Sequence, residues 1–520
     1  MSEAVRRAYQ SGQEDETLEP LVLVDTGGQP VGRIQPGDGV IFYNIRGERE
    51  IELTQSFTQA GFQAFSIKPE MDLEFATMIE YQRSLPVLVA FPPEGIVEDT
   101  MSQVLSCNGI RQVKISETEK AVHVGYFLNG KREESFPGEE YVIVPTRKDV
   151  ALFDEAPEMS INAVCEAVLH RIADQEIRFI FANFCNVDVV GHIENEQAVL
   201  KAVEAVDRQM GIAVDAALSA GMVVIVTADH GTVEKWRYPD GAIDTGHTDS
   251  PIPFILIDPA YGVSLTEGGD LTDIAPTVLD LFDIQKPGTM TGHSLIARNS
   301  TQERNSSCRL LLILLDGWGI SKEGSGNLIS QANTPNMDRF MTMFPYTTLL
   351  SSGEAVGLPP GTVGNSEAGH LHIGAGRKIY ADRVRIDLSI SDGSFFRNEA
   401  FHQVMGKVTD GNALHIMGIV SFFSSHGSIL HLFALMEMAR NEGIRNCFIH
   451  GMLGRRGELP ESGARYIRKI EEKAEEIGLG QVVSVIGRYW SMDREDKWDR
   501  IEKTYRMLVW GEGTPVYGRS

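Results

Sequence analysis

Residues 309–316 read RLLLILLD: six apolar residues in a row between an arginine and an aspartate. A strand with one wet face alternates polar and apolar positions, whereas a run apolar at every position is covered on both faces. The same pattern returns in RFIFANF (178–184), MVVIVTA (222–228) and PFILI (253–257). Between such runs lie stretches with apolar residues at helical spacing, among them AVLKAVEAVDRQMGIAVDAALSAG (198–221), which ends on Gly221. Buried strands alternating with amphipathic helices predict an α/β fold with a sheet covered on both sides. Two further helices are expected, in NTPNMDRFMTMF (333–344), with Thr334 as cap and Pro335 in the first turn, and in SGARYIRKIEEKAEEIGLG (462–480).

The strands deliver chemistry at their ends. RLLLILLD runs into Asp316, VVIVTADH into Asp229 and His230, and FANFCNVDVVGH into Asp188 and His192. Functional groups gather at the carboxyl ends of strands in open α/β sheets. One aspartate after one strand is more simply a turn or helix cap. Three together, two with a histidine attached, point to a site for two divalent metal ions, with His247 in DTGHTDSP as a further imidazole. Carboxylate and imidazole ligands suit Mn²⁺ or Zn²⁺.

The stretch VGNSEAGHLHIGAG (363–376) places Ser366 among glycines. Its neighbours alone leave three readings: nucleophile, phosphate cradle or tight turn. Beside a metal site the first gains ground, because coordination activates a hydroxyl and glycines let backbone approach phosphate oxygens.

The chain has 520 residues, enough for two or more domains, and a formal net charge of −25. That charge argues against nucleic acid and anionic membrane as partners. Five widely spaced cysteines without a CxxC fit free thiols in a reducing compartment. The first twenty residues hold no apolar core of a secretory leader, and no apolar run reaches membrane-spanning length. The expectation is a cytoplasmic protein. ARNSTQERNSSC (297–308), polar and without periodicity, reads as a linker.

Longer motifs carry a resemblance. LLILLDGWG, NTPNMD, VGLPPGTVGNSEAGHLHIGAGR, VTADHG and GRYWSMDREDKWDR closely resemble the cofactor-independent (2,3-bisphosphoglycerate-independent) phosphoglycerate mutases of the alkaline phosphatase superfamily. The resemblance covers nearly the whole chain but in exchanged order, since DGWG and GNSE open that family's chains and ADHG lies near their end. It implies a circular permutation in which 297–308 joins the family's usual termini. It also implies a continuous phosphatase-like metal domain over 95–380 and a transferase, substrate-binding domain from 1–94 and 381–520.

For the site, the resemblance is specific. Ser366 corresponds to the serine that is phosphorylated. Asp188, His192 and His247 correspond to the ligands of one manganese, and Asp316, Ser366, Asp229 and His230 to those of the other. Lys120 matches a lysine beside the phosphate and is, with Ser366 and Arg456, a candidate catalytic residue. Arg46, Arg49, Arg488, Arg494, Arg456 and His426 match substrate-binding positions. Guanidinium forks suit phosphate and carboxylate alike.

Two motifs depart from the family. SFFSSHGS (421–428) keeps His426 but replaces acidic and glycine positions with Phe422, Phe423 and Ser424, and HGMLGRRGELPE (450–461) keeps Arg456 but has Gly457 in place of an aspartate. That aspartate is held to handle the proton of the accepting hydroxyl, and the adjacent Glu458 could stand in. The expected function is interconversion of 3-phosphoglycerate and 2-phosphoglycerate through phosphoserine. The alternative is a phosphatase, mutase or phosphoryl transferase acting on a related phosphorylated or phosphonate three-carbon acid. Expected with it are two Mn²⁺ ions (Zn²⁺, Co²⁺ or Mg²⁺ as alternatives), no 2,3-bisphosphoglycerate, a small phosphorylated acid as substrate, no nucleic acid or membrane partner, and a monomer.

Overall fold

A computed structural model describes the chain except residues 70, 239, 259–262, 298–307, 323, 409–410, 423, 455–460 and 519–520. Most of the linker 297–308, and Phe423, Arg456, Gly457 and Glu458, therefore lie outside the described residues. The chain divides into two compact units, Glu94–Ala381 and a second made of Met1–Pro93 with Asp382–Ser520.

The unit Glu94–Ala381 is built on a seven-stranded sheet in the order Tyr346–Leu349, Ile252–Ile257, Val223–Thr227, Leu310–Leu315, Phe179–Phe184, Gln112–Glu117, Glu139–Val144. The α/β expectation holds. The central strand is Leu310–Leu315, buried at all six positions, which is why its sequence shows no alternation. Ile252–Ile257 runs antiparallel to Val223–Thr227, and Tyr346–Leu349 antiparallel to Ile252–Ile257, while the other neighbours are parallel. The helix Glu196–Ser219 buries a stripe including Val199, Val203, Val206, Met210 and Val214.

One helix start differs from the sequence reading. Helix Pro335–Met343 has Thr334 at its N-cap position, but the threonine side chain makes no capping bond. Asp207, on Glu196–Ser219, accepts from the backbone N–H of Met337 at 2.7 Å and of Asn336 at 3.2 Å instead. A carboxylate from a neighbouring helix thus does the work of the local cap.

The other unit holds an eight-stranded sheet in the order Thr514–Tyr517, Leu21–Val24, Gln481–Gly487, Cys447–Leu453, Leu414–Ile419, Gly39–Phe42, Glu74–Ile79, Leu88–Phe91. Strands from both parts of the chain interleave: Leu21–Val24 pairs in parallel with Thr514–Tyr517, and Gly39–Phe42 with Leu414–Ile419. A single apolar core runs through both parts, including Val40, Ile41, Phe42, Leu414, Ile416, Ile449 and Val485. Helix Ser462–Ile477 lies where the apolar spacing placed it. Among the described residues no helix is long and apolar enough to cross a membrane, and the five cysteines are free thiols.

Candidate metal centre

Strand register explains why distant residues meet. Leu310–Leu315 pairs in parallel with Phe179–Phe184 on one side and Val223–Thr227 on the other, with Leu315 opposite Phe184 and Leu314 opposite Thr227. The three strands end together, so Asp316, Asp229 and the helix Asn186–Gly191, which carries Asp188, start from one sheet edge. The Asp188 backbone N–H donates to the Asp316 carbonyl at 3.1 Å. Beside this bond Gly317 has φ +83°, and a Cβ there would stand 2.7 Å from the Asp188 nitrogen. Only glycine permits that approach. Ser366 opens helix Ser366–Ala375, whose N-cap Asn365 accepts from the Ala368 N–H at 2.9 Å.

Asp188, His192 and His247 form the first cluster. Asp188 Oδ1 lies 3.3 Å from His192 Nε2 and 3.1 Å from His247 Nε2, and the two Nε2 atoms are 3.2 Å apart. His192 Nδ1 lies 2.7 Å from the Thr245 carbonyl and His247 Nδ1 2.9 Å from that of Gly364. A carbonyl only accepts, so each Nδ1 carries a proton, which leaves each Nε2 as the atom that can give a lone pair to a cation. Two imidazole nitrogens and a carboxylate oxygen converging on one point suit a cation. Ligands at about 2.1 Å from one ion and at right angles stand about 3 Å apart, which is the spacing here.

The second cluster surrounds Ser366. Its Oγ lies 3.0 Å from His230 Nε2, 3.3 Å from Asp316 Oδ1 and 2.7 Å from Lys120 Nζ. His230 Nε2 lies 3.5 Å from both Asp229 Oδ2 and Asp316 Oδ1, and its Nδ1 is turned toward the Gly231 carbonyl at 3.3 Å. Asp229 Oδ2 is buried and makes no hydrogen bond among the described residues. An unpartnered buried carboxylate oxygen among imidazole and hydroxyl donors is what a second cation would satisfy. The structure thus brings all seven expected ligands together, and the donor set fits two divalent ions.

Lys120 is the cationic side chain bonded to these carboxylates, 2.7 Å from Asp188 Oδ2 and 3.0 Å from Asp316 Oδ1. Burial pulls its ammonium down, but Asp316, Asp188 and Asp229 outweigh that and hold it above its ordinary value. Burial likewise opposes ionisation of Asp188, yet Lys120 keeps it well below the usual carboxylate range. Asp316 moves the other way, pushed up by burial and by the Asp229 charge. His192 is raised by Asp188, and His247 is raised by the same carboxylate against its burial. The site draws positive charge onto both rings, as a proton or as a metal ion.

The expected anion-binding residues fall in the other unit. Arg46 and Arg494 share Glu48, at 3.3 and 2.7 Å, and Arg49 Nη1 donates to the Met492 carbonyl at 3.1 Å. His426 Nδ1 faces buried Glu50 Oε1 at 3.1 Å. Arg488 is mostly buried, with Nε 3.8 Å from Glu16 Oε1. The segments 43–50 and 487–495 therefore bring Arg46, Arg49 and Arg494 together, while Arg456 lies outside the described residues.

Sequence reasoning passed over Asn183, His370 and Glu50. Asn183 was legible as the one polar side chain in the apolar core of RFIFANF, and His370 as the imidazole one helical turn after Ser366. Glu50 gave no signal beyond its place in the arginine-bearing segment.

Residues 29–286 match the Metalloenzyme superfamily, and residues 386–518 match a family described as the BPG-independent PGAM N-terminus. A 2,3-bisphosphoglycerate-independent phosphoglycerate mutase of Moorella thermoacetica is 42% identical over 300 residues, covering 57% of each chain. One from Thermomicrobium roseum is 44% identical over 305 residues, covering 57% of this chain and 58% of the relative. The matched region thus spans less than two thirds of these relatives. A Leishmania mexicana phosphoglycerate mutase structure at low cobalt concentration matches over 53% of each chain at 29% identity, with a TM-score of 0.37.

Proposed function

The chain belongs to the 2,3-bisphosphoglycerate-independent phosphoglycerate mutase family, and from that premise we propose that it interconverts 3-phosphoglycerate and 2-phosphoglycerate through a phosphoserine at Ser366. The observation that carries this is the buried serine hydroxyl within 3.3 Å of Lys120, His230 and Asp316, beside a second cluster of Asp188, His192 and His247. Asp188, His192 and His247 would hold one divalent ion and Asp316, Ser366, Asp229 and His230 the other; when bound, such ions, Mn²⁺ by preference with Zn²⁺, Co²⁺ or Mg²⁺ as alternatives, supply Lewis-acid stabilisation of phosphoryl charge.

The residues do the rest. Lys120 Nζ donates to Ser366 Oγ and stabilises negative charge on it, which favours the attacking oxygen. In the first half the Ser366 Oγ–phosphorus bond forms, the substrate's oxygen–phosphorus bond breaks, and the freed hydroxyl takes up the proton the serine lost. In the second half the neighbouring hydroxyl attacks phosphoserine and Ser366 recovers its proton. Arg46, Arg49, Arg488, Arg494, Arg456 and His426 would bind the substrate's phosphate and carboxylate.

In this reading Glu94–Ala381 is the phosphatase-like metal domain and Met1–Pro93 with Asp382–Ser520 the transferase, joined in circularly permuted order. The match of an N-terminal family model to residues 386–518, after the metalloenzyme match, supports the permutation. We read the protein as a cytoplasmic monomer that needs no 2,3-bisphosphoglycerate. Its charge of −25 supports the absence of nucleic-acid and membrane partners.

Phosphorus NMR of the protein with Mn²⁺ and 3-phosphoglycerate tests the proposal. A 2-phosphoglycerate signal without inorganic phosphate is expected. Inorganic phosphate alone would move the acceptor role to water and favour the phosphatase reading, in line with the loss of the aspartate at Gly457.

A further inference from the structure

Ser366 is tied to Asp316 twice, by two different routes. Its Oγ donates to Asp316 Oδ1 at 3.3 Å. The second route runs through Asn183, on the strand Phe179–Phe184, and His370, one turn into the serine's own helix. Asn183 Nδ2 donates to Asp316 Oδ2 at 2.8 Å and lies 3.1 Å from His370 Nε2, while His370 Nδ1 lies 2.9 Å from the Ser366 carbonyl.

The acceptors fix every proton in this chain. Asp316 Oδ2 and the Ser366 carbonyl only accept, so Asn183 turns its amide NH₂ toward the pair, His370 Nε2 accepts, and His370 Nδ1 carries the hydrogen. Both nitrogens are thereby engaged. His370 Nδ1 also stands 3.4 Å from Asp229 Oδ2, but its hydrogen is directed at the carbonyl. Asn183 and His370 are fully buried, and Asn183 Oδ1 has no hydrogen-bond partner among the described residues. A buried amide that leaves its own oxygen unsatisfied to hold a carboxylate and an imidazole is there for those two contacts.

We infer that His370 and Asn183 are positioning residues, closing a hydrogen-bonded ring that sets Asp316 and Ser366 at a fixed separation for the cation they would share, and that His370 is not itself a ligand. The inference rests on the two-cation reading above. Outer partners of metal-binding carboxylates and imidazoles typically govern about 10–100-fold in affinity.

Calorimetric titration with MnCl₂ tests it, with thermal melts in chelator as a control for folding. The wild type is expected to take up two Mn²⁺. His370→Ala and Asn183→Ala should still take up two, one of them about 10–100-fold more weakly, and the double variant should bind no worse than the weaker single one, because both residues serve one ring. His370→Asn, which keeps a donor near the Nδ1 position, should recover part of the loss. Unchanged affinity in both single variants overturns the inference, as does a fall to one Mn²⁺ in His370→Ala matching Asp229→Ala, which would make His370 a ligand. A wild type that binds no Mn²⁺ overturns the two-cation reading itself. Should His370→Ala be unfolded in chelator, Asn183→Ala and His370→Asn decide by the same criteria.

Discussion

Lys120 Nζ stands 2.7 Å from Ser366 Oγ and, in the same buried position, 2.7 Å from Asp188 Oδ2. One ammonium therefore serves the Ser366 hydroxyl and the carboxylate between the two clusters. Lys120→Met should lower kcat by about 10²–10³, the size of effect seen when one preorganised donor to developing charge is lost. Ser366→Ala should remove all turnover by the phosphoserine route while the protein still binds Mn²⁺ through its remaining ligands. Steady-state kinetics and mass spectrometry for a phosphoryl adduct on Ser366 check both; turnover near wild type in Ser366→Ala would sink the mechanism.

The facing Nε2 atoms of His192 and His247, 3.2 Å apart, make metal and stability inseparable. At a free Mn²⁺ concentration 100-fold above its dissociation constant, one site adds about 2.7 kcal/mol to unfolding. The melting temperature should therefore rise with Mn²⁺ and fall on chelation, and His247→Ala should cut the bound metal from two ions to one. Equal melting curves with and without metal would contradict the assignment.

Glu117 gives a pH signature away from the metal ligands. Burial pushes its carboxyl up from 4.5 to about 7, although its Oε1 accepts from the Ser160 N–H at 2.9 Å. Between these two values the folded chain keeps a proton that the unfolded chain has lost, so stability falls as pH rises through the window and the cost is complete above about 7. The loss is on the order of 3 kcal/mol. Glu117→Gln should flatten the pH dependence of urea unfolding between about pH 5 and 8; an unaltered slope would count against the buried, protonated Glu117.

Asp207 replaces the expected cap of helix Pro335–Met343, accepting from two backbone N–H groups at 2.7 and 3.2 Å. Asp207→Ala should destabilise the protein by about 1–3 kcal/mol, through a lost cap and buried unpaired donors. Thr334→Ala should change stability little. Denaturant midpoints of the two variants compare them directly, and a larger effect at Thr334 would reverse the assignment.

The strands and their terminal acids were legible because a buried parallel strand shows itself as an unbroken apolar run. The residues just beyond such a run are forced to the sheet edge: Leu315 leads to Asp316 and Thr227 to Asp229. The cap at Asp207 was not legible, since Thr334 satisfied the local rule and the true partner sits over 120 residues away in sequence, brought in only by helix packing. Asn183 and His370 were missed for a related reason. A single polar residue inside an apolar strand signals only that some partner must exist, and which partner depends on the adjacent strand's register. The arginine cluster around Glu48 could be matched only by resemblance, because an arginine on an acidic chain has many possible partners.

The interleaving of Leu21–Val24 with Thr514–Tyr517, and of Gly39–Phe42 with Leu414–Ile419, has a consequence for biosynthesis. A ribosome makes residues 1–93 early, and Gly39–Phe42, Glu74–Ile79 and Leu88–Phe91 can pair with one another at once. Yet both neighbours of Leu21–Val24 and the other neighbour of Gly39–Phe42 emerge only after the whole of Glu94–Ala381. The metal-binding unit can fold while translation continues. Leu21–Val24 and the open edge of Gly39–Phe42 must wait, with their apolar residues exposed, for several hundred residues of synthesis. Nascent chains arrested near residue 400 should thus be the form that chaperones hold most tightly, and codon choice across the middle of the message sets how long that vulnerable interval lasts.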